Sequence, residues 1–348
     1  MIYFISFSFA LVSIMLVVFY GKVMDSNNIL FNVVVAVGNG GFYALATASN
    51  LSEAILANKV SYALGSFAPM LLFFVVCSIC QMQVPRFTRA VMYCIQIIVF
   101  FSACSVGKST LFYKLVEYHK DGNMAYLTKT YGPLHSLYLG TVLFYTLAAI
   151  VVGIISVNRK NYVSRFNVMV LIFVDLLVVG VYLIERFISY QVELLPIFFT
   201  AAAVIITVTL IRHYRYSIYN NKEIVEENLN KTGFVMFNEK LQYMGCNNYA
   251  TELLPELLNW ELEQKVPGSG GRFNTFLRRP LNNYVGNTGD GGKGRGTYSY
   301  KGRLYRYEIG GLHSNYRKRV IGYVIQLSDV TDFLTGETYE KDNGQTDN

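Results

Sequence analysis

The chain has 348 residues, 53% of them hydrophobic, and a formal charge of +7. That length allows two domains of ordinary size, and the composition argues for a membrane protein over a soluble one. Part of the modest positive charge sits beside apolar runs, where it meets anionic headgroups, so no nucleic-acid partner is expected.

Seven stretches approach the roughly 20 apolar residues that a helix needs to cross a bilayer. They lie at about 2–20, 29–48, 60–80, 90–106, 138–156, 167–184 and 194–211. The first has no basic residue ahead of Ile2–Tyr20 and no small-x-small site before Lys22, so it reads as a retained span, not a signal peptide. Gly38-Asn39-Gly40-Gly41 interrupts the second, which is tolerable if neighbouring helices cover the backbone. Pro69 and Pro196 are candidate kinks in spans three and seven.

Basic residues in short loops favour the inner side. With the N-terminus outside, the inner loops carry Lys22, Arg86 and Arg89, then Arg159, Lys160 and Arg165, then Arg212 and Arg215; the short outer segments carry Lys59 and Arg186, and the long outer segment 107–137 carries Lys108, Lys114, Lys120 and Lys129, which dilutes the rule although charge in a longer loop is the weaker signal. The expected topology is therefore N-terminus outside and C-terminal domain cytoplasmic, in a multi-pass cell-membrane protein. Cys77, Cys80, Cys94 and Cys104 fall in spans and Cys246 in the polar part, which suggests no disulfide framework. Cys77-x-x-Cys80 lacks a second ligand pair and reads as packing, not metal.

The long outer segment, 107–137, holds Leu111-Phe112-Tyr113, Tyr118-His119-Lys120-Asp121-Gly122 and Tyr131-Gly132-Pro133-Leu134-His135. Tyr113, Tyr118, Tyr126, Tyr131 and Tyr138 either line a pocket or anchor the interface, where aromatics concentrate. Asp175 stands within Val170–Val179, inside span six. A carboxylate there is expensive and should face the bundle and find a partner. The reading is open between a ligand or proton site and a structural bond to Asn39 or His135. Glu185 and Arg186 are expected at the interface. A transporter should show internal repeats or paired broken helices; none is convincing here, so transport ranks below sensing.

This order of spans and motifs resembles the seven-transmembrane sensor region at the N-terminus of bacterial histidine kinases, over roughly residues 2–215. In that family an aromatic segment with an Asp-Gly turn and a Gly-Pro step lies between spans four and five. The chain departs from it at Leu134, where an aromatic often stands. The resemblance implies a receptor-like sensor with a small-molecule or membrane stimulus at or near the outer face. Asp175, His135, Tyr113 and Tyr131 are the candidate ligand contacts.

From Arg212 onward the pattern changes. Of 30 Lys+Arg and 23 Asp+Glu in the chain, 18 and 16 lie in this shorter part. Residues 212–230 have partial helical spacing at Ile218, Ile224, Val225 and Leu229, expected as a helix continuing from span seven and open to pairing with a second subunit. Two strands, Gly233–Asn238 and Leu241–Cys246, joined at Glu239-Lys240, form an expected hairpin. Helices are expected at Tyr249–Leu254 and Phe273–Tyr284, then strands at Gly296–Tyr300, Arg303–Ile309 and Arg319–Leu327, with a turn at Lys301-Gly302.

This order resembles the PAS fold over about 230–333, through Gly233–Asn238, Cys246–Ala250 and the closing Ser328-Asp329-Val330-Thr331. The resemblance implies a sensing or dimerising module in which Asp329 and Thr331 couple the last strand to an exit helix; a local turn cap is the equal alternative for Asp329. The helix near 273–284 carries no His for a haem, and Arg272-Phe273-Asn274 lacks the Cys of a flavin-adduct motif, so no cofactor is expected. His313 reads as a turn residue beside Ser314-Asn315. Gly107-Lys108-Ser109-Thr110 has Ser102 where a phosphate loop needs its first Gly, and Gly289–Gly296 does not open a helix. The four His show no metal spacing, and no nucleophile–base pair is visible.

The expected fold class is thus a seven-helix α-helical membrane bundle followed by a small α+β PAS-like domain with an antiparallel sheet. Its expected divisions are residues 1–211, a connecting helix at 212–230, the PAS-like domain at 231–333 and a disordered tail at 334–348. Catalytic and metal residues are expected to be absent, and no enzyme domain is expected in the chain as it stands. Expected partners are the bilayer, an unidentified stimulus, and a second copy or a signalling protein. In resembling proteins a kinase or cyclic-dinucleotide enzyme follows, so a severed sensor is the alternative reading.

Overall fold

In the computed structural model, residues 1–20, 25–122, 124–157, 164–187, 193–215, 232–266, 271–286, 294–313 and 320–331 are described. The chain divides into two compact units, one helical and one built on a sheet.

The helical unit contains α1 (Ile2–Phe19), α2 (Ser26–Thr47), α3 (Leu51–Ile79), α4 (Arg86–Cys104), α5 (Pro133–Val157), α6 (Arg165–Phe187) and α7 (Leu195–Arg215). All seven are long and apolar enough to cross a membrane. Asp25 caps α2 by accepting from the Asn27 amide, and Asn50 caps α3 by accepting from the Glu53 amide at 3.0 Å. Glu53 in turn receives the Ser49 N–H at 2.9 Å, a reciprocal box that starts α3 nine residues earlier than the apolar run suggested.

The glycines that interrupt span two do not break α2. A Cβ on Gly41 would stand 2.5 Å from the Ser61 amide nitrogen and 2.8 Å from its Cα, so Gly41 lets α2 and α3 approach closely. Pro69 lies buried inside α3. Pro196 lies in the first turn of α7, where its missing N–H costs nothing, so it is no mid-span kink.

Two polar tiers tie α1, α2 and α7 together. In one, Ser6 donates to Asn39 Oδ1 at 2.6 Å, and Asn39 Nδ2 donates to Thr200 Oγ1 at 3.0 Å and to the Pro196 carbonyl at 3.3 Å. In the other, Ser13 donates to Asn32 Oδ1 at 2.5 Å and Asn32 Nδ2 donates to Thr207 Oγ1 at 3.2 Å. Each pair, Ser6 and Ser13, Asn32 and Asn39, Thr200 and Thr207, is spaced by seven residues, two helical turns. All six side chains are buried.

Between α4 and α5 the chain forms an antiparallel hairpin, β1 (Tyr113–Asp121) and β2 (Met124–Tyr131), turning at Gly122 with φ +55°. Leu127 and Ala125 pack on Leu45, Ala48, Ala54 and Ala57 at the α2–α3 junction.

The second unit is a five-stranded antiparallel sheet with β3 (Gly233–Asn238), β4 (Tyr243–Cys246), β5 (Arg295–Tyr300), β6 (Arg303–His313) and β7 (Val320–Asp329). The strand order is β4-β3-β7-β6-β5, with every pair antiparallel. Helix α8 (Asn248–Leu253), a 3-10 turn (Pro255–Asn259) and α9 (Gly271–Gly286) lie between β4 and β5 in sequence. Val235 is paired with Ile325, and Ile325 with Ile309, a row of buried side chains across three strands. That row joins Trp260, Phe273, Phe276, Leu277 and Leu281 in the core. Phe234, Met236, Leu312 and Val324 form a second buried cluster from the alternate strand positions.

The expected α+β order therefore holds, with strand and helix ends shifted by a few residues. Lys301 and Gly302, at φ +49° and +77°, make the tight turn expected between β5 and β6. His313 closes β6 instead of lying in the turn beyond it. The expected connecting helix falls largely, and the expected tail wholly, outside the described residues; α7 itself runs through Arg215.

Candidate functional site

A cavity of about 350 Å³ lies among α3, α5, α6, α7 and the end of β2. Its walls are mostly aliphatic, supplied by Leu64, Leu72, Leu139, Val142 and Val178. Five aromatic rings also face it, from Phe42, Tyr62, Tyr138, Tyr182 and Phe199. Two lining residues, Leu143 on α5 and Leu183 on α6, are exposed on the apolar perimeter of the bundle.

Asp175 lines this cavity from the middle of α6 and is 3% exposed. Its Oδ2 is buried with no hydrogen-bond partner among the described residues. The expected partners are both engaged elsewhere. Asn39 belongs to the α1–α2–α7 tier, and His135 stacks on Tyr131 with ring centroids 3.9 Å apart. Structural bonding to Asn39 or His135 is therefore not what holds Asp175. The cost of burying a lone acid in an apolar wall is left uncompensated by the protein.

At the hairpin end the cavity meets an ion pair. Lys129 Nζ of β2 lies 2.8 Å from Glu193 Oε1, with the lysine side chain 11% exposed. Burial disfavours the ammonium charge, but Glu193 outweighs it and holds Lys129 above the usual lysine range. Glu193 is itself fixed by Tyr3, whose hydroxyl accepts from the Glu193 amide at 2.8 Å. Glu185, expected as an interfacial residue, accepts from the Leu195 amide at 2.8 Å and from the Leu194 amide, and so caps the start of α7.

A second cavity, of about 340 Å³, lies on the other side of this pair, between β2 and the ends of α1 and α2. Phe42, Lys129 and Glu193 line both cavities and form the partition between them.

The tyrosines distribute unevenly. Tyr138 lines the first cavity, and Tyr126 and Tyr131 line the second. Tyr113 and His135 line neither. They build the aromatic cluster behind the wall, where Tyr113 hydrogen-bonds Tyr62 and Phe112 packs edge-on to Tyr62 and His135. Burial pushes the Tyr113 phenol well up, with the Tyr62 hydroxyl opposing. Tyr118 lines neither cavity and donates to the Ala48 carbonyl at 2.9 Å, tying the hairpin to the end of α2. Leu134 packs against this same cluster, and its amide donates to the Leu111 carbonyl.

Sequence reading missed Lys129, Glu193 and Tyr62. Lys129 stood among the loop lysines, and nothing local pairs it with a residue 64 positions away.

In the sheet unit, Asp329 Oδ1 accepts from the Thr331 amide at 3.0 Å and from its hydroxyl at 2.5 Å, while Oδ2 accepts from Arg303 at 3.3 Å. Thr331 Oγ1 also accepts from the Leu304 amide at 2.9 Å. The Asp-Val-Thr segment is thus pinned to the start of β6. Burial works against the Asp329 charge, but the Thr331 bonds and Arg303 prevail and hold the carboxyl below its usual range. At the other end of the domain, Asn247 Oδ1 accepts from the Ala250 and Phe234 amides at 3.0 and 2.8 Å, capping α8 and joining it to β3.

The family of the N-terminal 7TM region of histidine kinase matches residues 2–218. The chain belongs to that family. The match covers all seven apolar helices, a region that is not itself catalytic, and makes the chain a multi-pass membrane protein of the sensory type. No curated protein matches the chain. Among the described residues, no group of three or more His, Cys, Asp or Glu could hold a metal ion.

Proposed function

We propose that the chain is a membrane-embedded receptor whose stimulus occupies the cavity at Asp175 and is relayed along α7 to a cytoplasmic PAS-like module. The observation that carries this reading is an unpartnered buried carboxylate in a cavity that α7 itself helps to line, through Leu195 and Phe199. The sheet order supports the PAS-like reading: the hairpin partner of the domain's first strand is on one edge, the first strand is next to it, and the last strand is central, beside the first. The basic inner loops support an outer N-terminus. The Asp329–Thr331 clasp then fixes where the chain leaves the sheet, toward an effector domain on this or another polypeptide. Pairing with a second copy or a signalling protein fits the same scheme.

The test is to fill the cavity. Val179→Trp places an indole in it, and hydrogen exchange of β3 and β7 is then compared with the parent chain in lipid nanodiscs. The receptor reading expects a change in protection of those strands. Unchanged exchange in a variant that folds and retains its α6 protection would refute it.

A further inference from the structure

We infer that the cavity ligand is a membrane-partitioning amine: an apolar body of about a dozen non-hydrogen atoms bearing one protonated nitrogen, with the ammonium seated on Asp175. The inference rests on the reading of this cavity as the stimulus site.

Size comes first. A dry cavity of about 150 Å³ binds benzene, and this one is about 350 Å³, so roughly twice that ligand fits. Access comes next. Leu143 and Leu183 line the cavity and are also exposed on the bundle perimeter, so the opening between α5 and α6 faces hydrocarbon, and the ligand arrives dissolved in the bilayer.

Head-group chemistry follows from what the walls lack. Among the described residues, two carboxylates and one ammonium line the cavity. Glu193 and Lys129 are paired at 2.8 Å, which leaves the Asp175 carboxyl without a counter-charge. A fatty acid would add a second acid beside Asp175 while the Lys129 ammonium is already engaged by Glu193. An alcohol would give Asp175 a hydrogen bond but no charge. An ammonium gives both, and an ion pair buried in low dielectric is worth keeping only when its geometry and hydrogen bonds are good. The five lining aromatic rings add to the same preference, since ring faces attract a desolvated cation.

The experiment uses three photoreactive probes with one decyl chain, a terminal diazirine, and an amine, a hydroxyl or a carboxylate at the other end. Each is added at equal membrane concentration to the full chain in neutral-lipid nanodiscs, and crosslinks are mapped by mass spectrometry. The amine is expected to label α5 and α6 around Val142 and Val179 at least tenfold more than either other probe. Asp175→Asn should bring amine labelling down to that of the alcohol while leaving alcohol labelling unchanged, which also shows that the variant is folded. Val179→Trp should abolish labelling by all three. Equal cavity labelling by amine and alcohol, or amine labelling indifferent to Asp175→Asn, overturns the amine inference and leaves the cavity reading standing. If no probe labels the cavity walls, the cavity reading itself fails.

Discussion

Substituting Asn39 by Ala tests whether the polar tiers hold α7 in place. Asn39 is wholly buried and bridges three helices, with Ser6 on α1 and with Thr200 and the Pro196 carbonyl on α7. Interhelical hydrogen bonds in bilayers average about 0.6 kcal/mol and reach about 1.7 kcal/mol. Two such links, with a small void where the amide stood, give an expected cost of ~1–2 kcal/mol. The cost stays in this range because the neighbours are not orphaned: Ser6 and Thr200 hydroxyls already lie 3.0 Å apart, and Thr200 also donates to Pro196. In the other tier the Asn32 amide is what joins Ser13 to Thr207, so Asn32→Ala should cost at least as much.

The assay is reversible unfolding by SDS in mixed micelles, run as a double-mutant cycle. Ser6→Ala and Asn39→Ala should couple by ~0.6 kcal/mol or more, whereas Asn39→Ala and Asn32→Ala, two turns apart, should add. A Ser6–Asn39 coupling below about 0.3 kcal/mol, the ordinary scatter of additivity, would refute the argument that the tiers bind α1 to α7 through Asn39.

Three further outcomes are expected. Gly41→Ala brings a Cβ to 2.5 Å from the Ser61 nitrogen, so α2 and α3 must separate; a loss of ~1–3 kcal/mol is expected by the same unfolding assay, with Gly140→Ala, which meets nothing within 4 Å, as the neutral control. Lys129→Met should loosen the hairpin by ~1 kcal/mol, read as faster amide exchange in β1 and β2. Because the folded lysine titrates above its ordinary value, its contribution is complete below about pH 10.4 and fades as pH rises beyond, and Lys129→Met should abolish that alkaline loss. Asp329 runs the other way. Its folded carboxyl titrates below the ordinary value, so its stabilisation is present above about pH 3.9 and is lost as pH falls further. Asp329→Ala should cost the sheet unit ~1–2 kcal/mol at neutral pH and remove that acid dependence, measured by exchange protection of β6 and β7.

The seven spans were legible because length and hydropathy fix them almost regardless of packing. The sheet unit was legible because Lys301-Gly302 and the Asn247 cap mark turns and helix starts with local chemistry. The β1–β2 hairpin was not read, although Asp121-Gly122 between two runs of alternating residues carried the signal; the tyrosines drew the reading toward interface anchors instead. Asp175 faces the interior of the bundle, but the partners expected for it, Asn39 and His135, are engaged elsewhere, since which side chains meet depends on helix rotation, which a uniformly apolar span leaves unmarked. The tiers were more accessible than they looked. Ser6 and Ser13, Asn32 and Asn39, Thr200 and Thr207 repeat at the same interval on three spans, and such a recurrence places them on one face of each helix. Lys129, one of four lysines in its segment, and Glu193, 64 residues further on, offered no comparable clue.

Helix α7 joins the two parts of the helical unit that matter for the proposed relay. Phe199 faces the cavity, and its neighbour Thr200 holds the polar tier, so consecutive residues about 100° apart on the helix commit it to two different contacts. A ligand that displaces Phe199 cannot rotate or slide α7 without stretching the Thr200 and Thr207 bonds. Two tiers, each worth roughly one to two kcal/mol, then set an energetic threshold comparable to ordinary allosteric coupling of about 1–3 kcal/mol. Tiers much stronger than this would lock α7 against any occupant of a 350 Å³ cavity, and much weaker ones would let it move unliganded. Weakening one tier with Ser13→Ala should therefore shift the sheet unit toward the exchange pattern produced by Val179→Trp without anything in the cavity. If Ser13→Ala leaves that pattern at the parent state while lowering bundle stability, the tiers hold the fold together and do not gate the movement of α7.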